Sequence, residues 1–365
     1  MKRHVSVTIP FLLLCLTVLL KVGWCSAATF TWNGSLSSDW FNSTNWIPVG
    51  VPASTDTVNF TTGTISLTSP VTRSGVFNWA GGTLSGNPLT IASGGLLNIN
   101  GSVSLESVLT NGGTVTMTGP AYLSVYNNTN IYFGRIFNLA GGLWDIQTNA
   151  TIACQYCVGN EFFNNAGTFR KSQGSGTATI SVAFTNTATV SAQVGILSFN
   201  ENFVTAGGTL AFGASGLGSF GQINISGNVA LNGAASVSWL NGFMPANGNS
   251  FALMDYGSES GTFATISLPA GSLGEGIYGA TVFTLMITNV TAQAPPVFLN
   301  IKLVNPNSAV ISWPSSAANY SLQINTNLSS GSWTNVTGGI STVSTNDVFT
   351  NSVNGKASFF RLRSP

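Results

Sequence analysis

The chain has 365 residues, enough for two or three domains, and only 6% of them are charged. Eleven basic and ten acidic residues leave a formal net charge of +1. Because nucleic-acid binding requires a basic surface, this composition argues against a nucleic-acid partner. Glycine is abundant, with 42 residues, and Ser, Thr and Asn fill most other positions. We therefore expect a surface made mainly of neutral hydroxyl and amide groups.

Residues 1–28 are interpreted as an export signal. Lys2 and Arg3 provide the positive start, and Ile9–Leu20 is an apolar segment too short to span a bilayer. No later stretch is long and apolar enough for a membrane helix. The sequence therefore predicts an exported protein without a transmembrane helix after cleavage, located outside the cell or on its surface.

Two small-residue triplets offer cleavage sites, Cys25-Ser-Ala27 and Ser26-Ala-Ala28. A lipoprotein signal would instead use Cys25 as the lipidated residue, but the bulky Trp24 before it disfavours that alternative. Cleavage also removes His4, which is the single histidine of the chain.

Residues 29–74 form an aromatic opening segment with three tryptophans, Trp32, Trp40 and Trp46. In one interpretation they close the first edge and apolar end of a coiled β-structure. In the other they are an exposed platform that stacks on carbohydrate rings. We favour the cap, because burial of large aromatic rings accounts for the cluster by itself.

Residues 75–219 repeat a short phrase, an apolar residue followed by small residues and a return to alternating apolar and polar positions. Its copies are Phe77-Asn-Trp-Ala-Gly-Gly, Phe137-Asn-Leu-Ala-Gly-Gly, Phe163-Asn-Asn-Ala-Gly and Phe203-Val-Thr-Ala-Gly-Gly, with weaker copies at Leu109 and Phe184. Alternation with period two and many glycine turns predict strands, and the repetition predicts stacked units. We expect an all-β parallel β-solenoid (β-helix) with Phe inside, Gly at the corners, and ladders formed by Asn138, Asn164 and their equivalents.

Residues 220–293 are predicted to form the last coils and a closing cap, through Phe220–Gly233 and Ser260-Gly-Thr-Phe263. Together with the opening Thr31-Trp-Asn-Gly34 and Asn45-Trp46, this region resembles bacterial β-helical surface proteins, including autotransporter passengers and adhesins. The resemblance implies a structural cap at this end and an adhesin-like role at a cell surface.

Ala294-Pro-Pro296 is predicted to be a linker, and residues 297–365 to be a separate small domain. Ala309-Val-Ile-Ser-Trp313, Tyr320-Ser-Leu-Gln-Ile324 and Phe359-Phe-Arg-Leu-Arg363 are short alternating segments. They resemble a fibronectin type III or immunoglobulin-like module, which implies a small β-sandwich. The segment contains no cysteine pair, so it is not of the antibody type.

The mature chain offers few groups for catalysis. Without histidine, Ser-His-Asp and Cys-His hydrolysis and His-ligated zinc are excluded. Cys154-Gln-Tyr-Cys157 lacks further zinc ligands, so the pair is interpreted as a local disulfide or as two packed thiols. We expect no cofactor and no metal.

One group of charged residues supports an enzymatic alternative. Arg135, Asp145, Glu161, Arg170 and Lys171 fall in neighbouring repeats. Polysaccharide lyases with a β-helix combine acidic groups and a basic proton abstractor, so the group is a hypothetical lyase site. A solvated or salt-bridged patch is the favoured interpretation, because the chain has no Asp-x-Asp or Asp-Asp pair.

The sequence thus predicts an exported, non-enzymatic surface or extracellular protein with a structural or adhesive role. Its expected partner is a carbohydrate or a protein of the cell envelope. A polysaccharide-active β-helix enzyme of the lyase type is the alternative function.

Overall fold

The computed structural model describes residues 27–290, 298–315, 317, 320–328, 331–353 and 357–363. Their regular structure is β-strand throughout, apart from one 3-10 turn at Ser43–Asn45. The predicted export signal, up to residue 26, and the predicted linker 294–296 lie outside the described residues. No helix in the described part has the length and apolarity needed to cross a membrane. The chain divides into two compact units, Met1–Val290 and Thr291–Pro365.

The first unit is solenoid-like: it coils repeatedly through three stacks of parallel strands, called face 1, face 2 and face 3 in chain order. Face 1 begins with Thr29–Trp32 and continues through Thr57–Phe60, the first parts of Val76–Gly86 and Leu96–Leu105, Thr114–Met117, Leu143–Ile146, Thr168–Lys171, Thr189–Ala192, Thr209–Gly216, Ala234–Trp239 and Thr265–Ser267.

Face 2 contains Thr64–Leu67, the second parts of Val76–Gly86 and Leu96–Leu105, Tyr122–Val125, Thr151–Cys154, Thr177–Ser181, Ile196–Phe199, and the first parts of Gln222–Leu231 and Ser250–Gly261. Face 3 is a seven-stranded sheet of Val71–Arg73, Leu89–Ile91, Val108–Asn111, Arg135–Asn138, Phe162–Asn165, Ala183–Asn186 and Phe203–Val204. The expectation of an all-β fold with mostly parallel strands is confirmed.

The alternating sequence pattern explains the core. Within each short strand the inward residues are buried and the outward ones are partly exposed, as expected for side chains that alternate between the two sides of a sheet. Because neighbouring strands pair in register, inward residues of successive coils form columns. On face 1 one such column consists of Phe77, Leu97, Val115, Trp144, Phe169, Val190, Leu210 and Ala235.

A column of glycines explains why the repeated phrase contains Gly. Seven of the eleven face 1 strands are preceded by glycine, namely Gly75, Gly95, Gly113, Gly142, Gly167, Gly208 and Gly233. At Gly167 a Cβ atom would lie 2.3 Å from the carbonyl oxygen of Gly142 in the preceding coil. At Gly167 the corner between faces 3 and 1 therefore has no space for a side chain. This confirms the prediction of glycine at the corner.

An asparagine ladder follows the same corner on the inside. The Nδ2 of Asn111 donates to Oδ1 of Asn138, that of Asn138 to Asn165, and that of Asn165 to Asn186, at 2.8, 2.7 and 2.8 Å. All four side chains are buried. The predicted ladder is thus present at Asn138, but Asn165 and not Asn164 is its next member.

The expected equivalence of the repeated phrases is partly wrong. Phe163, Phe184 and Phe203 stack in the core of face 3. Phe137 points outward, because Ile136 pairs with Phe163 and takes the inward position. Phe77 lies on face 1. The corner after Asn138 is two residues longer than the corner after Asn165, which shifts the phrase relative to the strand.

Antiparallel strands cover both ends of the coil. At the start Trp46–Ile47 pairs with Thr29–Trp32, and at the end Val282–Val290 joins Ser250–Gly261 to Ser272–Tyr278. A two-residue strand, Ser219–Phe220, forms a hairpin on the end of Thr209–Gly216. Pairing the terminal edges in this way removes sites at which another chain would add a strand.

The second unit contains two antiparallel sheets. One has the order Asn300–Asn305, Ser308–Pro314, Asn346–Ser352, Ile340–Val343, and the other Thr334–Asn335, Ser321–Asn325, Phe359–Arg363. Residues of both sheets contribute to one apolar cluster that includes Ile311, Trp313, Leu322, Phe349 and Phe360.

Candidate functional site

The charged residues of the hypothetical lyase site do not form one site. Arg170 and Asp145 are paired outside face 1, with Arg170 Nε 3.0 Å from Oδ1 and Nη2 2.8 Å from Oδ2 of Asp145. Burial alone would raise the pKa of Asp145, but hydrogen bonds from Arg170 and Gln147 lower it below the usual range. A carboxylate held in this way is a stable ion-pair partner, as the favoured interpretation of the patch expects.

The other members of that group lie elsewhere. Lys171 points into the core, where its ammonium donates to three oxygens of neighbouring corners. Arg135 is on face 3, with its guanidinium 5.7 Å from the centre of the Phe162 ring. Glu161 is buried and its Oε1 accepts from the main-chain N–H of Tyr156 at 2.9 Å. No basic side chain of the group stands free beside several acids.

The three tryptophans of the opening segment are interior residues. Trp32, Trp40 and Trp46 are 5%, 1% and 0% exposed. The ring centres of Trp32 and Trp40 lie 4.9 and 4.8 Å from that of Trp46 in edge-to-face contacts. None of them presents a free ring face, so the exposed carbohydrate platform expected as an alternative is not formed by these rings. Their packing is that of a cap.

Cys154 and Cys157 form a disulfide, with Cα atoms 5.1 Å apart. It closes a short turn at the end of a face 2 strand, and Cys157 itself adopts a positive φ of 54°. Glu201 lies close to the two sulfurs. Because both sulfurs are used in the disulfide, the pair provides no thiolate for a metal.

An exposed aromatic group lies beside this disulfide, and sequence reasoning missed it. We call Tyr126, Tyr132 and Tyr156 the tyrosine cluster. Their ring centres are 5.9 to 6.4 Å apart, and Tyr132 and Tyr156 are stacked with an interplanar angle of 18°. Tyr156 is 41% exposed and the other two are half-buried.

The cluster stands on two long connections between faces 2 and 3. Residues 126–134 and 155–161 make this connection in consecutive coils, whereas residues 106–107 and residue 182 suffice in neighbouring coils. Two adjacent insertions therefore rise from one side of the coil. Their unusual length, together with Tyr and Asn residues, is the feature of the sequence that indicates a surface site here.

Asparagine side chains hold the first connection in shape. Asn128 Oδ1 accepts from the main-chain N–H groups of Asn130, Ile131 and Tyr132 at 3.1, 2.9 and 3.0 Å. Asn127 Nδ2 donates to the carbonyl oxygen of Asn160 at 3.1 Å, which ties the two connections together. With the disulfide in the second connection, the tyrosine rings are held on ordered backbone.

Carboxylates near the cluster act on Tyr156. Partial burial, the neighbouring tyrosines and the carboxylates of Glu106 and Glu161 raise the pKa of Tyr156 above its ordinary value. The hydroxyls of the cluster accept or donate no hydrogen bond within the described part of the chain. They are therefore available as hydrogen-bond donors and acceptors.

Two adjoining surface depressions near the end of the coil are polar. One is lined by Ser198, Asn224, Ser226 and Asp255, among others, and the other by Asn200, Glu201 and Ser226, among others. The hydroxyls of Ser198 and Ser226 already have a partner in Asn200. Ser198 Oγ donates to Oδ1 of Asn200 and Ser226 Oγ donates to the carbonyl oxygen of Asn200, each at 3.0 Å. With no exposed aromatic ring among these residues, the depressions lack a stacking surface.

The comparisons with known proteins add no assignment to this geometry: no family model matches the chain, and no curated protein matches it either.

Proposed function

We propose that the protein is an exported, non-enzymatic surface or extracellular protein that adheres to neutral polysaccharide through the tyrosine cluster. The observation that carries this proposal is the group of three packed tyrosines, Tyr126, Tyr132 and Tyr156, with free hydroxyls on ordered connections. Structural and adhesive roles are combined, since the cluster stands on connections between strands of the coil.

The chemistry of the cluster fits a hexose unit. A pyranose ring has an apolar face of C–H groups and a polar edge of hydroxyls. The tyrosine rings of the cluster supply apolar surface for the C–H face of the sugar, and their O–H groups supply hydrogen-bond partners for the sugar hydroxyls. Rings that are already packed lose little side-chain entropy on binding. The nearby carboxylates of Glu106 and Glu161 disfavour anionic sugars.

The architecture is part of the proposal. The coil is taken as a β-solenoid of the type found in autotransporter passengers and adhesins. The unit from residue 297 is taken as a fibronectin-type β-sandwich, supported by its two antiparallel sheets and the apolar cluster they share. Export is supported by the sequence of residues 1–28.

Retention on insoluble neutral polysaccharides such as β-glucan and mannan tests the function. Tyr156→Ala is expected to weaken binding about tenfold, which corresponds to about 1.4 kcal/mol. Tyr122→Ala is the matched control, because Tyr122 is also 41% exposed but makes no ring contact with the cluster. Equal binding by both variants would contradict the proposal.

The same samples distinguish adhesion from catalysis. We expect no new reducing ends or unsaturated products when the protein is incubated with the retained polysaccharide. If products appear and a combined Arg135→Ala, Asp145→Ala, Arg170→Ala variant abolishes them, the lyase alternative replaces the adhesive proposal.

A further inference from the structure

The start of the described chain is joined to a nearly buried carboxylate. The main-chain N–H of Ala28 donates to Asp56 Oδ1 at 2.8 Å, and the carbonyl oxygen of Ala28 accepts from Thr57 N–H at 2.7 Å. From Thr29 onward the chain pairs in parallel with the strand that begins at Thr57. Ala28 is therefore already part of the hydrogen-bonded fold.

Asp56 has donors but no ion-pair partner within the described residues. It is buried, and its second oxygen, Oδ2, accepts from the main-chain N–H of Ala53 at 2.7 Å. The nearby guanidinium of Arg73 donates to the carbonyl oxygens of Ala53 and Asp56, not to the carboxylate. The carboxylate thus receives one hydrogen bond from its own turn and one from the beginning of the chain.

The two possible cleavage sites differ in what they leave at this carboxylate. Cleavage after Ala28 would remove the N–H that donates to Asp56 and the carbonyl that accepts from Thr57. Cleavage after Ala27 would keep both and turn the Ala28 nitrogen into an α-ammonium group. Ala27 and Ala28 are themselves exposed.

We propose that the Ala27–Ala28 peptide bond is the processing site, and that the new α-ammonium of Ala28 forms an ion pair with Asp56. The step is a hydrolysis by a protease of the signal-peptidase class. The C–N bond breaks, water supplies the oxygen of the new Ala27 carboxylate, and the released amine takes up a proton. This inference rests on the export that is part of the proposed function.

An ion pair changes the strength of an existing contact. A hydrogen bond between an ammonium and a carboxylate is about twice as strong as one between neutral groups. The same atoms already lie 2.8 Å apart, so the charge forms without rearrangement of the chain. Processing would therefore tighten the first parallel strand onto the coil.

The processing site is tested by secreting the full chain from a bacterial host and measuring the intact mass and N-terminal sequence of the released protein. The expected mature chain begins at Ala28. A mature chain that begins at Thr29, or elsewhere, overturns the inference while leaving export intact. Unprocessed protein retained in the cytoplasm instead contradicts export itself.

The ion pair is tested with four proteins. The mature chain is prepared with a free and with an acetylated N-terminus, and the same two forms are prepared of the Asp56→Asn variant. Acetylation removes the charge but keeps an N–H donor. We expect it to lower the Tm by about 2–4 °C in the parent and to have little effect in the variant. An equal effect in both backgrounds overturns the ion pair. If the variant does not fold, an unchanged Tm on acetylation of the parent overturns it.

Discussion

Asn165 occupies the middle of the buried asparagine ladder, where it donates to Asn186 and accepts from Asn138. Its Nδ2 also bonds the carbonyl oxygen of Thr189 at 2.9 Å, which links face 3 to face 1 of the next coil. One side chain therefore connects three coils. In a buried setting each of these bonds matters mainly because the partner left behind would be unpaired.

Replacing Asn165 by Leu keeps the number of side-chain heavy atoms but removes all of these bonds. We expect Asn165→Leu to lower the free energy of unfolding by about 2–4 kcal/mol, since buried amide groups of Asn138 and Asn186 lose partners. Denaturant unfolding measures the change. Asn164→Ala is the control, because Asn164 points outward on the same strand, and we expect a loss within about 0.5 kcal/mol. A similar cost for both variants would contradict a role for the ladder.

Lys171 provides a pH-dependent prediction. Burial lowers the pKa of its ammonium group from 10.5 to about 8. Between these values the unfolded chain keeps a proton that the folded chain has lost, so the unfolded state binds more protons and stability rises with pH. The unfavourable contribution of the buried charge is complete below about pH 8 and disappears near the unfolded pKa.

The comparison is made with Lys171→Met, which does not titrate. We expect the free energy of unfolding of the parent, measured relative to this variant in urea, to increase as the pH rises from about 8 to 10. Other titrating groups cancel in the difference. A difference that stays constant over this interval, or that falls, would contradict the lowered pKa.

At the scale of the element, the corner between faces 3 and 1 is set by backbone proximity. The Cβ of an alanine at Gly167 would lie 2.3 Å from Gly142 O and 2.4 Å from Leu139 O. Since both contacts are with main-chain atoms, only a shift of the coil relieves them. Ala188 occupies the equivalent position in the next coil, so that corner is wider.

We expect Gly167→Ala to destabilise the protein by about 1–3 kcal/mol through this overpacking. Thermal unfolding measures the loss. The neighbouring Ala166→Ser is the control, because residue 166 is exposed at the same corner. If Gly167→Ala were as stable as Ala166→Ser, the corner would have more room than the backbone distances indicate.

At the scale of the whole molecule, covering the ends of the coil governs its behaviour in solution. Residues 28–365 contain eight basic and ten acidic residues, so charge repulsion does little to keep copies apart. We therefore expect the covered strand edges, rather than charge repulsion, to prevent association between copies. Trp46 is central to coverage at the first end, because its Nε1 donates to Trp40 O at 2.8 Å and its ring contacts Trp32 and Trp40.

Trp46→Ala is expected to lower stability by about 3–5 kcal/mol and to cause self-association, since it loosens the strand that covers the first edge. Thermal unfolding followed by light scattering measures both effects. Leu36→Ala is the control, because Leu36 is 70% exposed in the same segment. A Trp46→Ala protein that stays monomeric at the concentrations of the parent would contradict the role of the cap in preventing association.

Local chemistry determined a large part of this protein in advance. Alternating residues and repeated turns were sufficient to predict an all-β, mostly parallel fold, because side-chain direction alternates in any strand. The corner glycines were predictable because a missing Cβ is a property of the residue itself. The presence of a single histidine, His4, likewise depends on composition alone.

Only the tertiary structure decided which residues meet. A corner two residues longer turns Phe137 outward, whereas Phe163 points inward, although both begin the same phrase. Alternation alone separates Arg170 from Lys171, but the stacking of the coils decides that Lys171 faces the core and Arg170 the outside. Tyr126 and Tyr156 are 30 positions apart and become neighbours because two consecutive coils both lengthen the same connection. These outcomes depend on stacking across coils, and a strand's own sequence does not specify its partner's position.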